Sequence, residues 1–301
     1  MEAQDKANSF MPQDRMQSLE TKIADLLARP GFFQIVHQMA AGLQAGQALA
    51  PRLGSLFSTQ QRWLMSHLAV SHYFAGMAGG HLGLVRRYFI EAVVEHGLAS
   101  RNTATAFYTE VLHYGILKPV QAFPSLKNVA EPAPEALSAL ISWYGLHLSA
   151  LDGLDGGTRV VRLQEDSQTL LPRMHPYVAH GLLVSEEIRR PAPLYAVFAS
   201  VDDGGSLMDR LVASVDIAAL AEQERLTTGI NSVSALARSL NLSRTHAGRT
   251  LAAAAASNAV GWSGTAGRSP LWVSRDFVRQ YAGIQAAKLL IIDNAYGLAI
   301  V

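Results

Sequence analysis

Residues 100–117, SRNTATAFYTEVLHYGIL, overlay residues 243–260, SRTHAGRTLAAAAASNAV, without a gap at an offset of 143. Identities fall at Ser100/Ser243, Arg101/Arg244 and Ala104/Ala247, and Gly115 meets Asn258, two residue types that tolerate positive φ. The context repeats as well. Each copy has a helical pattern before it, a short turn into it, a hairpin-like stretch after it and then an amphipathic helix. A chain that contains this order twice is constrained to build two similar supersecondary units.

The surrounding text supports that reading. Apolar residues at Leu19, Ile23 and Leu26 predict a helix over 16–28, closed by Pro30 and Gly31, and a second apolar run covers 32–43. STQQ at 58–61 has the form of a capping box opening a helix with Trp63, Leu64 and Leu68 on its buried face. LVRRYFIEAVVEHG reads as another helix with a glycine stop. KPVQAFPSLKNVAEPAP reads as a small hairpin or loop. Leu137, Ile141, Tyr144, Leu148 and Leu151 then form one stripe of a helix over 135–151, ended by DGLDGG. TRVVRL and LYAVFASV read as strands, the stretch between them has no clear pattern, and 206–226 is again helical in pattern. Two short helices separated by NL span 232–260, the second capped by Ser243. A hairpin around the Gly-rich turn 264–267 leads to a last helix, 275–292, capped by Ser274 with Phe277, Tyr281 and Ile284 inward.

LASRNTATAFYTEVLHYGIL and SALARSLNLSRTHAGRTLAAAAASNAV, each followed by a hairpin and a helix, resemble the winged helix-turn-helix domains of bacterial regulators of the MarR-like and GntR-like kind. Leu236 and Ala237 stand where such motifs pack helix on helix, and Asn241 stands where many of their turns carry glycine. The resemblance implies a mainly α (α+β) protein with two winged helix-turn-helix domains. The expected organisation is a helical extension (1–56), a first winged-helix domain (57–152), a linking α/β segment (153–204) and a second winged-helix domain with a C-terminal helix (205–301).

In such domains the second helix enters the major groove, about 12 Å wide, and its first turns read base edges while the wing meets phosphates. The first copy would present Arg101, Asn102, Thr105 and Thr109, with Lys118 and Lys127 on its wing. The second would present Arg244, Thr245, His246 and Arg249, with Arg268 on the wing and Arg238 on the preceding helix. Charge segregation favours the second copy. The net charge is only +1, yet residues 225–275 hold six arginines and no acid, while 150–224 hold twelve acids against six arginines. Glu110 and only two following lysines make the first copy the weaker candidate for tight DNA contact.

Other chemistries find less support. There is no cysteine, hence neither disulfides nor thiolate metal sites. His67, His72 and His81 cluster in sequence, but a spacing of five separates the first two across a helix, so no metal is expected. LDGLDGG lacks the closing glutamate of a calcium loop. No nucleophile elbow, phosphate loop or dinucleotide fingerprint occurs, and the adjacent pairs Glu186/Glu187 and Asp202/Asp203 read as solvated positions. Trp143, Tyr144, Trp262 and Trp272 read as core rather than as a ligand pocket.

The expectation is therefore a cytoplasmic, non-enzymatic transcription regulator without cofactor or membrane partner. It would bind double-stranded DNA, and the apolar helices at 16–48 and 275–292 could pair chains into a homodimer. A small-molecule effector would be compatible, its identity unknown. The alternative is a tandem winged-helix module that docks proteins without reading DNA.

Overall fold

The computed structural model describes residues 13–49, 54, 57–78, 83–120 and 128–300. Among these residues the chain is mainly helical, with fourteen α-helices and two small antiparallel sheets. Helices α1 (Gln13–Ala28) and α2 (Phe32–Leu49) come first, separated by Gly31 at φ +80°. Then follow α3 (Gln60–Ala78), β1 (Leu84–Val85), α4 (Arg86–Glu95), α5 (Arg101–His113), β2 (Leu117–Pro119), β3 (Val129–Pro132) and α6 (Pro134–Asp155). After four linking helices, α7 (Arg159–Glu165), α8 (Ser167–Val184), α9 (Glu186–Arg189) and α10 (Pro193–Ala199), comes α11 (Gly204–Val212). A 3-10 turn (Ile217–Ala221) precedes β4 (Arg225–Thr227), α12 (Val233–Ser239), α13 (Arg244–Ala256), β5 (Val260–Trp262), β6 (Leu271–Ser274) and α14 (Arg275–Ala299).

The order strand, helix, helix, hairpin, helix thus occurs twice, and the sheets match. Each has three strands with the last in the middle, β1-β3-β2 and β4-β6-β5. Leu84 pairs with Ala130 and Leu117 with Pro132 in the first, while Leu226 and Val260 both flank Val273 in the second. Local chemistry sets the corresponding ends. Ser100, Ser243 and Ser274 each accept a hydrogen bond from the backbone N–H three residues on, satisfying a donor that the helix leaves open. Gly115 and Asn258 close α5 and α13 at φ +71° and +58°, and Asn241 turns α12 into α13 at φ +56°.

Several expectations are corrected. TRVVRL and LYAVFASV are helical, so the segment 153–204 contains no strand. Short apolar runs carry no decisive period; here Val160 and Leu163, and Tyr195 and Phe198, turn inward three residues apart, and Pro193 occupies a first-turn position where its missing N–H costs nothing. The unpatterned stretch between them is largely α8, which tolerates Pro172 and Pro176 while burying Leu170, Leu171, Met174, Val178, Leu182 and Leu183. Thr59, not Ser58, caps α3 by accepting from the Arg62 N–H. Leu226, expected in a helix, lies in β4.

One hydrophobic core runs through the chain. Helix α8 lies against α3 on one side and α14 on the other, so the two sheet-bearing regions share a helical interior.

Candidate nucleic-acid interface

Helix α13 turns Ala247, Thr250, Leu251 and Ala254 inward, and the i, i+3, i+4 spacing of those positions leaves a stripe outside. Thr245 and Arg249 are exposed on that stripe, and Ala252, Ala253 and Ala256 continue it, while Arg244 is exposed at the first position of the helix. Most of the alanine run therefore makes a slim outer surface rather than a thin core side. The Arg244 and Arg249 side chains have no hydrogen-bond or ion-pair partner among the described residues, nor do the exposed Arg238 on α12 and Arg268 at the β5–β6 turn. His246 is placed differently. Its ring Nε2 sits 2.7 Å from the Asp202 carbonyl, which makes it an intramolecular donor instead of a base reader.

The arginine excess is also smaller than its count. Arg275 pairs with Glu224 at 2.9 Å and bonds the Gln223 carbonyl, and Arg225 lies over the Trp272 ring at 4.5 Å. Five of the six arginines in 225–275 thus remain without a counter-charge among the described residues, with Arg225 held against Trp272.

In the first copy, Arg101 is exposed at the first position of α5, Asn102 and Thr109 are exposed along it and Thr105 is half-buried beside the inward Ala104, Phe107, Tyr108 and Val111. The Thr109 hydroxyl bonds back to the Thr105 carbonyl at 2.9 Å, and the Arg101 and Asn102 side chains are unpartnered among the described residues. Glu110 is held by Arg62 at 2.7 Å, so its negative charge is largely compensated. Lys118 on β2 makes a loose 4.0 Å pair with Glu135. Lys127 lies outside the described residues, as does His81.

The remaining candidates have structural partners. Asp152 and Asp155 of LDGLDGG both bind Arg159, at 3.0 and 2.7 Å, and Asp293 on α14 joins them at 2.9 Å. Glu187 accepts from the Ser185 hydroxyl, and Glu186 pairs with Arg190. His67 stacks on His175 in the interior, whereas His72 is near His96. No group of three or more His, Asp or Glu side chains among the described residues is placed to hold a metal. No helix among them is long and apolar enough to cross a membrane.

No family model, curated protein or solved structure matches this chain.

Sequence reasoning missed a buried polar cluster at the meeting of α3, α6, α8, α11 and α14. His175 Nε2 donates to the His67 carbonyl at 3.0 Å while its Nδ1 accepts from the Tyr144 hydroxyl at 2.8 Å, which fixes the neutral tautomer. Burial pushes its pKa down to about 4, and that of His147 down to about 3. Tyr281 donates to Asp209 at 2.6 Å, and burial nevertheless pushes the Asp209 carboxyl up to about 6. These residues come from helices far apart in sequence, so no local spacing announced them.

Proposed function

We propose that this chain is a DNA-binding transcriptional regulator that uses two winged helix-turn-helix units, without catalytic activity of its own. The observation that carries the reading is the exposed first half of α13, where Arg244 opens the helix and Thr245 and Arg249 stand on its outer stripe, in the second helix of a strand–helix–helix–hairpin unit. The repeated sheet order supports the same architecture for α5 and its hairpin. A forked guanidinium at a helix start suits guanine O6 and N7, and Arg238 and Arg268 flank it where phosphates would pass. The smooth alanine surface beyond Arg249 would let the helix axis approach the groove floor.

Retention of a random duplex pool over a salt series tests the proposal. The expected outcome is strong retention at low salt that falls steeply as salt rises, since each neutralised phosphate releases counterions. A flat response, or no retention at low salt, overturns it. Replacing Arg244 and Arg249 by Ala then assigns the helix, because binding that is unchanged in the double variant excludes α13 from the site.

A protein-docking role is the second reading for the first copy. Tyr88, Val94 and Tyr114 are exposed around α4 and the end of α5, which adds apolar surface to a unit of lower positive charge.

A further inference from the structure

A cavity of about 830 Å³ opens between α2 and α6 and reaches the buried polar cluster. It lies in the size range that holds drug-sized ligands. Its wall is mostly apolar, with Trp63, Trp143, Phe57, Phe107 and Leu140 contributing broad surfaces. Three polar groups on this wall lack what their chemistry demands. The Lys288 ammonium has no hydrogen bond or ion pair among the described residues, only the face of Trp63 at 5.0 Å. The Gln285 Oε1 and His67 Nδ1 atoms are buried without a partner, on side chains 1 % and 4 % exposed. Native interiors rarely leave such groups unpaired, because each costs the desolvation it does not recover.

We propose that this cavity binds a small amphiphilic acid, a single anionic head on a bulky apolar body, with Lys288 taking the head and the Trp63 and Trp143 walls taking the body. The charge count limits the ligand to one negative charge. Lys288 is the sole Lys or Arg on the wall among the described residues, and two carboxylates line the same space, Asp209, already engaged by Tyr281, and Glu135, loosely paired with Lys118, which would repel a dianion. Burial holds the Lys288 pKa down to about 8, with Asp209 partly opposing, as expected of a cation whose counter-charge is not in contact. The lining includes Phe107 and Val111 from the inner side of α5 and Ile284 and Lys288 from α14. A bound acid would therefore touch both sheet-bearing regions at once.

Two probes with the same rings separate head from body: anilinonaphthalene sulfonate, which is a monoanion, and phenyl-naphthylamine, which is neutral. The full chain is expected to take up the sulfonate at one site, with energy transfer from tryptophan that falls in Trp63→Phe and Trp143→Phe. Lys288→Met is expected to weaken the sulfonate by about tenfold or more and leave the neutral probe within about twofold, since only the charged head loses a charge-assisted contact. Lys288→Arg is expected to keep both. Unchanged sulfonate binding in Lys288→Met overturns the proposal. So does the absence of saturable uptake by the unaltered chain, or transfer that neither tryptophan variant alters. Should Lys288→Met lose both probes, Lys288→Arg decides: retention of the sulfonate supports the site, and its loss overturns it.

Discussion

The His246 ring on α13 donates from Nε2 to the Asp202 carbonyl at 2.7 Å, and the Asp202 carboxylate in turn accepts from Ser58 Oγ at 3.3 Å. Asp202 thereby touches the start of α13 and the turn before α3. A His246→Ala variant should lose this one partly exposed hydrogen bond, worth about 1 kcal/mol, which lowers Tm by a few degrees. Duplex binding should keep its salt slope, because His246 faces protein. A slope reduced as much as in Arg244→Ala would place His246 at the phosphates instead.

Arg62 and Glu110 give a test of α5 with two opposite signs. Their 2.7 Å pair is partly exposed and adds little to stability, about 0.2–1 kcal/mol. Its value to the surface is charge cancellation. Glu110→Gln should tighten duplex binding and steepen the salt slope by about one ion, and Arg62→Ala should do the reverse by leaving the carboxylate facing the DNA. Fluorescence anisotropy of a labelled duplex over a salt series reads both. Equal affinities in the two variants would remove α5 from the interface.

How much of this was legible in the sequence depends on the range of the interaction. The Ser100, Ser243 and Ser274 caps and the Gly115 and Asn258 stops act within one helical turn, and the text marks them directly. The repeated unit was readable for the same reason, as a string of such local signals. Helix α8 was not, because Pro172 and Pro176 contradict a helix locally and only its packing between α3 and α14 overrides them. For the candidate interface, sequence placed Arg244 and Arg249 on an exposed face, but it could not foresee that Glu224 and Trp272 engage Arg275 and Arg225, or that Asp202 engages His246. Trp143 was read as core, and in the fold it walls a cavity whose lysine lies 145 residues further on.

Arg159 joins three elements: Asp152 and Asp155 end α6, Asp293 lies on α14, and the guanidinium itself opens α7. The side chain is 15 % exposed, so salt screens it less than an open surface pair. Arg159→Met should cost about 2 kcal/mol, read from the urea midpoint, because Asp152 keeps its backbone donors but three carboxylates lose their shared cation. A loss below about 0.5 kcal/mol would mean that the network is solvated and replaceable by water.

The histidine cluster and Asp209 make opposite contributions to acid stability, and the signs can be separated. His175 titrates near 4 in the fold against 6.5 when free, because burial disfavours its charged form. Its contribution is therefore complete above 6.5 and is lost as pH falls from there through 4; His147 adds the same sign over a wider window. Asp209 is raised from 3.8 to about 6, so its contribution is complete below 3.8 and is lost as pH rises through 6. The histidines outnumber it, and the chain should become less stable on acidification. Between pH 4 and 6, Asp209→Asn should make stability rise more steeply with pH, by up to one proton's worth, while its amide oxygen still accepts from Tyr281. His175→Gln should flatten the same slope by up to one proton. Urea midpoints measured across that range check both, and parallel pH profiles for the two variants would show that neither group titrates in the interior as its burial requires.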